Sequence, residues 1–248
     1  MQSVKDEQML MFWKGFGFDK SFSYKNLKVM EIGCGKGKRC FEAALGGAYK
    51  VLGVDISEKS IQSAEKTLLS DFSEFADTIN FECSSIDKIT ENNFDVIISE
   101  NAFEHILDVP SVLNELELRL KKGGRIYIGF GPLFHSPFGD HGWIRAALPL
   151  GKWLPWSHVI LPRNLILKIL SKRHHKKITN FYDWPFLSLN ELTIADFKRI
   201  FQDSKLHVSS FRVNVGYSPK AKLISLIGKI PLLEKYFTHN IFCILKKV

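Results

Sequence analysis

Cysteine is scarce and unpatterned in this chain. Its four residues, Cys34, Cys40, Cys83 and Cys243, show neither paired spacing nor the Cys/His intervals of a zinc site. That excludes a disulfide scaffold and leaves four reduced intracellular thiols. No His-x-x-x-His pair appears either, so no metal is expected. No apolar run approaches the roughly 20 residues needed to span a bilayer. The stretch Met1 to Trp13 sets Asp6 and Glu7 ahead of a very short apolar patch, unlike a signal peptide, and the expected location is the cytoplasm. Internal repeats are absent, and 45% apolar with 24% charged residues is not the composition of a disordered chain. At 248 residues it suits one core domain with an elaboration.

Acidic residues are outnumbered, giving a net charge of +8. Much of the excess lies in Lys168, Lys172, Arg173, Lys176 and Lys177, around His174-His175, and in the C-terminal segment. Such cations complement a helix dipole at a solvated C-terminus, or they attract phosphate or an anionic membrane surface in a weak peripheral contact. No nucleic-acid motif accompanies them, so nucleic acid is not an expected partner.

What the chain does have is Val29-Met30-Glu31-Ile32-Gly33-Cys34-Gly35-Lys36-Gly37, a short apolar run ending in an acid and a glycine loop. It reads as a buried strand that stops in a turn made by glycines and opens into a helix, with free amides aimed at a ligand. The dinucleotide fingerprint would need glycine where Lys38 stands. A phosphate loop around Gly37-Lys38 would need glycine at Ile32 and a hydroxyl at Arg39. What remains, acid-x-Gly-x-Gly-x-Gly, resembles the first motif of the class I (Rossmann-like) S-adenosylmethionine-dependent methyltransferases.

Four later segments extend the resemblance over about Val29 to Phe130. Val51-Leu52-Gly53-Val54-Asp55 is a second apolar run ending in an acid. Phe81 to Ile86 resembles the third strand and its adenine-flanking loop, and Phe94-Asp95-Val96-Ile97-Ile98-Ser99-Glu100 the fourth strand. Leu120-Lys121-Lys122-Gly123-Gly124-Arg125-Ile126 resembles the family's Leu-Lys-Pro-Gly-Gly-x-Leu, with Lys122 in place of proline. The similarity is greatest to the type 11 group, which includes quinone-biosynthesis methyltransferases. It implies an α/β fold: a doubly wound, seven-stranded, mostly parallel sheet with an antiparallel last strand.

The resemblance also implies a cofactor site for S-adenosylmethionine. Glu31 would meet the methionine ammonium, directly or through water, and Gly33, Cys34, Gly35 and Gly37 would form the loop. Asp55, followed by Ile56, would accept the ribose hydroxyls. Ser84, Ser85 and Ile86 would flank the adenine, although many relatives carry an aspartate where this chain has Ser84. Ser99 and Glu100 would lie near the sulfonium, in a structural role or in contact.

Along the chain, Lys38 to Leu45 reads as a helix stopped by Gly46-Gly47. Ser57 caps a second helix, and Asp108 with Pro110 at its first position opens a third that buries Val112, Leu113, Leu116 and Leu120 before Gly123-Gly124 ends it. Arg125 to Phe130 is the fifth strand. From Gly131 to about Leu161, prolines and glycines rule out long regular elements, while Phe and Trp argue against disorder. Helical signal returns from Pro162 to Lys172. Thr193 with Asp196 resembles a capping box for Ile194 to Gln202. His207 to Val215 and Asn240 to Leu245 close the sheet. This divides the chain into a core, 25–130 and 193–248, and an inserted aromatic-rich cap, 131–192.

Methyl transfer needs an aligned nucleophile and dry surroundings, and an oxygen nucleophile must also lose its proton. Histidine, with an unperturbed pKa near 6.5, suits that task. Within the cap, His135, Asp140, His141 and His158 lie among Phe130, Phe134, Phe138, Trp143, Trp153 and Trp156. His141, oriented by Asp140 or another acid, is the first choice for the base, with His158 second and His135 third. His105 reads as structural or as pocket wall. The aromatics form either a mini-core of the cap or a pocket for the acceptor. The stretch Ala221 to Lys246, basic residues among Leu, Ile, Phe and Tyr, reads as a buried final helix and strand, with membrane-surface contact the alternative. The expected activity is O-methylation of a small-molecule, glycan or lipid-linked acceptor. The alternatives are C-methylation of a quinone-like ring and a non-catalytic cofactor-binding module.

Overall fold

The computed structural model describes residues 10–20, 22–148, 154–181, 189–215, 223 and 225–248. After a helical turn and a half at 10–15 (α1), the chain lays down β1 (Lys28–Ile32), α2 (Lys38–Leu45), β2 (Lys50–Asp55), α3 (Glu58–Asp71), β3 (Ile79–Cys83) and β4 (Phe94–Glu100). There follow α4 (Val109–Arg119), β5 (Leu120–Phe130), α5 (Trp143–Ala147), α6 (Ser157–Ile160), α7 (Arg163–His174), α8 (Ile194–Asp203), β6 (His207–Val213) and β7 (Ile241–Lys246). The seven strands form one sheet in the order β3-β2-β1-β4-β5-β7-β6. All ladders are parallel except the two made by β7, which runs antiparallel to both β5 and β6.

Local chemistry explains the element ends. Ser57 accepts from the Ser60 amide at the start of α3, and Asp108 from the Ser111 amide at the start of α4. Thr193 and Asp196 make the reciprocal capping box of α8. Two expectations are corrected. Proline lies one residue deeper in α4 than expected, because Val109 is the first helical residue. That helix also ends at Arg119 rather than at the glycines: Leu120 is already extended and pairs with Phe94, with a register irregularity before Val96 meets Arg125.

Two apolar layers sandwich the sheet. One joins Met30, Leu52, Ile97, Ile126 and Ile128 to α4 and α8. On the other face, Val29, Val51, Val96 and Ile98 pack on α2, α3 and an aromatic group from the N-terminal segment, with Phe12, Trp13, Phe16 and Tyr24 buried against Tyr127. The very short apolar patch of the sequence is therefore a core element. A third cluster draws only on residues 134–189, among them Phe134, Ile144, Ile166, Leu170 and Phe181. Phe134 thus belongs to a mini-core of that segment. Trp153 and the side chain of Trp143 lie outside the described residues.

The C-terminal stretch divides. β7 is buried at alternate positions, but Leu223, Leu226, Ile230 and Leu232 are exposed, so burial of a final helix does not hold for those four residues. Ala221 and Lys222 lie outside the described residues. Among the described residues, no helix is long and apolar enough to cross a membrane. The basic residues Lys172 and Arg173, with His174, occupy the last turn of α7, where cations complement the helix dipole.

Candidate active site

The strand order reverses between β1 and β4, so a crevice opens at the C-terminal ends of the parallel strands. A cavity of about 480 Å³ occupies it, within the usual range for a small-molecule site. Its walls come from the ends of four strands: Ile32 and Gly33 after β1, Asp55 and Ile56 after β2, Ser84, Ser85 and Ile86 after β3, and Asn101 and Ala102 after β4. His105, Ile106 and the first turns of α4 complete it.

The glycine loop is shaped by contacts that a side chain would obstruct. Gly33 has φ +65°, and a Cβ there would lie 2.5 Å from the Cβ of Ala102. Gly37 is the left-handed N-cap of α2, and a Cβ would strike Phe81 at 2.7 Å. The loop is also tied to the acid expected at the ribose: the Gly35 amide donates to Asp55 Oδ2 at 2.8 Å, and the Ser57 amide to Oδ1 at 2.8 Å. Each carboxylate oxygen keeps a further lone pair for a ligand.

Six of the expected cofactor residues, Gly33, Asp55, Ile56, Ser84, Ser85 and Ile86, line this cavity. Glu31, Cys34, Gly35, Gly37, Ser99 and Glu100 do not. The buried Glu31 carboxylate instead accepts from the amide and thiol of Cys40, at 3.0 and 3.1 Å, and so holds the first turn of α2 on β1. Ser99 is buried beneath the surface. Glu100 receives a bidentate grip from Arg39, at 2.8 and 2.9 Å, and borders a second, smaller cavity with Asn101 and His239. Asn101 is common to both cavities.

Burial pushes the Glu31 carboxyl up to about 8, against the pull of Cys40 and Arg39 toward the charged form. The sign of its effect on stability follows. Below about 4.5 the group is protonated whether folded or not. Between about 4.5 and 8 only the unfolded chain releases its proton, so stability falls as pH rises. Glu31→Gln is expected to remove this slope of about 1.4 kcal/mol per pH unit. Urea midpoints of both proteins from pH 5 to 8 test it: curves that stay parallel would show that Glu31 is ionised in the fold.

The candidate bases separate in space. The buried carboxylate of Asp140 accepts from the Gly142 amide, the Arg145 amide and Arg145 Nε at 3.1, 2.7 and 3.0 Å. It braces its own loop and makes no hydrogen bond to the neighbouring His141 ring. His158 is buried with its Nε2 2.5 Å from the Phe134 carbonyl, and the His135 Nε2 lies 3.1 Å from the Glu191 carbonyl. His141 instead faces His105, ring centroids 5.4 Å apart, and thereby approaches the cavity that His105 lines. Although the residue as a whole is exposed, desolvation of its ring, with His105 a smaller cause, pushes His141 down to about 4, so its imidazole is neutral at neutral pH.

Sequence reasoning missed Glu104, adjacent to His105. It is 2% exposed, neither carboxylate oxygen accepts a well-formed hydrogen bond among the described residues, and burial pushes its carboxyl up to about 8, opposed by the nearby Glu104 and Gly131 amides. One carboxylate oxygen and one nitrogen from each of His105 and His141 all lie within 4.8 Å of one another. Sequence spacing alone could not show this, because 36 residues separate His105 from His141.

A family model described as "Methyltransferase domain" matches residues 23–130, the span of β1 to β5 and their glycine loop. Residues 23–130 are thus similar to a methyltransferase domain. An uncharacterized protein of Haemophilus influenzae is 33% identical to this chain over 104 residues, 41% of each chain. A ubiquinone biosynthesis O-methyltransferase of Bradyrhizobium diazoefficiens is 28% identical over 159 residues, 59% of this chain and 58% of that one. The chain thus spans about half the length of the curated relatives it matches. The crystal structure of an S-adenosylmethionine-dependent methyltransferase from Mesorhizobium loti superposes with a TM-score of 0.57 at 17% identity, covering 90% of this chain and 92% of that one. The shared fold thus extends beyond residues 23–130 to the rest of the sheet.

Proposed function

We propose that this chain is an S-adenosylmethionine-dependent methyltransferase that methylates an oxygen of a small-molecule acceptor. The observation that carries the reading is Asp55: a carboxylate on the wall of the crevice, pinned by the Gly35 and Ser57 amides, with lone pairs left for two ribose hydroxyls. Ile56 and Ile86 offer apolar surface to the adenine on either side of Ser84 and Ser85. Gly33 and Asn101, the latter common to both cavities, would hold the methionine end. On this reading the acceptor's oxygen lies at the His105–His141 end, and the segment 131–192, which carries His141, is assigned as the acceptor-binding cap. Several relatives bear the name ubiquinone biosynthesis O-methyltransferase, which supports a phenolic acceptor.

The protein's part is alignment of the oxygen with the sulfonium methyl, exclusion of water and removal of the acceptor's proton. Transfer of labelled methyl from the cofactor to phenolic quinone precursors tests the activity, and mapping the label distinguishes oxygen from carbon. Cofactor binding is tested separately. Asp55→Ala removes charge-assisted hydrogen bonds and is expected to weaken S-adenosylhomocysteine binding by about 10- to 100-fold, or roughly 1.5–3 kcal/mol. Calorimetric titration reads this directly, and unchanged affinity would remove Asp55 from the site.

A further inference from the structure

We propose that Glu104, His105 and His141 form a binding site for a divalent transition-metal ion at the acceptor end of the cavity. The donor set is one carboxylate oxygen and two imidazole nitrogens, mutually within 4.8 Å. Tetrahedral coordination at zinc bond lengths places donors about 3.4 Å apart, so the three must draw together by about an ångström, within reach of side-chain rotation. Two histidines and one carboxylate suit zinc, iron or manganese and leave coordination positions open.

Glu104 is the observation that points to a ligand. A carboxylate that is 2% exposed and accepts no well-formed hydrogen bond among the described residues is costly unless something cationic occupies the space it faces. That space is where the two histidine nitrogens converge.

The two chain segments are braced independently of each other. Asn190 donates from Nδ2 to the carbonyls of Phe103 and Ile106, at 2.7 and 2.8 Å, and its amide donates to the Glu104 carbonyl at 2.9 Å. This fixes the turn that carries Glu104 and His105. On the other side, Asp140 and Arg145 fix the loop that carries His141, whose backbone sits in the left-handed region at φ +51°. A non-glycine residue held there requires surrounding structure that enforces it. Positioning from both sides is what a preorganised ligand set requires.

The inference deepens the oxygen-acceptor reading of the same site, because His105 lines the cavity and open positions on the ion would face the acceptor. A hydroxyl bound there loses its proton to solvent more readily. The resulting oxygen anion attacks the methyl carbon as the carbon–sulfur bond breaks, and that bond's electron pair stays on sulfur.

The test is a calorimetric titration of chelator-treated full-length protein with zinc chloride, without cofactor, alongside the visible ligand-field spectrum of the cobalt(II)-loaded protein. One ion per chain is expected. Glu104→Gln, which preserves shape, and His141→Ala are each expected to weaken binding by more than about 10-fold and to change the cobalt spectrum. His207→Ala, at the exposed first position of β6, leaves both unchanged. Circular dichroism melts of each variant identify any loss of fold, and the near-isosteric Glu104→Gln is decisive if His141→Ala misfolds. No zinc binding by wild type, or binding that Glu104→Gln leaves intact, overturns the site. The methyltransferase reading has its own measurement in S-adenosylhomocysteine binding, so either can fail alone.

Discussion

Arg39→Met is expected to destabilise the fold by about 3–5 kcal/mol, the effect of removing one partner from a buried ionic network. Arg39 is fully buried, and its guanidinium grips Glu100 bidentately, pairs with Glu42 and stacks 4.4 Å over the Phe12 ring. Glu42 in turn accepts from the Trp13 indole at 2.6 Å. Methionine fills much of the volume but leaves Glu42 and Glu100 uncompensated. Urea denaturation measures the loss, which corresponds to a melting point lower by roughly 6–20 °C for a chain of this size. Adding Glu42→Gln should recover part of it, since one of the stranded charges disappears. A loss below about 1 kcal/mol in the single variant would show that water reaches these carboxylates. The network has a functional side as well. By holding Glu100, Arg39 keeps the last residue of β4 out of the main cavity and leaves the neighbouring Asn101 and Ala102 to line it.

Neither this network nor Glu104 is legible in the sequence. There Arg39 stands out only as the residue that breaks a phosphate-loop match, because local pattern cannot reveal a partner 61 positions away. The aromatic residues 12–24 are equally opaque: no apolar period marks them, and their burial depends on Tyr127 and Phe242 from distant strands. What is legible follows local rules. The run ending in Glu31, the run ending in Asp55 and the whole of β4 alternate or cluster apolar residues as buried parallel strands do. Ser57, Asp108 and Thr193 announce helix starts through hydrogen bonds that need only three residues. The start of β5 misleads for a related reason. Gly123-Gly124 has the chemistry of a helix stop, but pairing of Leu120 with Phe94 draws the chain into the sheet before it reaches them.

The division among the histidines likewise emerges only in three dimensions, and it sets the largest kinetic effect expected. Of His105, His135, His141 and His158, His135 and His158 are each engaged with a backbone carbonyl, whereas His141 faces the cavity-lining His105. His141→Ala is therefore expected to lower turnover by about 100- to 10,000-fold, the contribution of a group that promotes loss of the acceptor's proton, whether as its base or by holding an ion that acidifies the hydroxyl, while S-adenosylhomocysteine affinity stays nearly unchanged. His141→Gln keeps polarity and approximate shape without a basic nitrogen and should lose nearly as much. His158→Gln serves as the contrast. It retains a donor for the Phe134 carbonyl, so its effect belongs in stability rather than in kcat. Steady-state kinetics on a phenolic acceptor, paired with calorimetry on the cofactor product, separates these outcomes. Near-wild-type turnover in both His141 variants would place the acceptor's proton elsewhere, or mean that the acceptor arrives already ionised. Alignment within a dry crevice would then suffice, since the sulfonium supplies the activation itself.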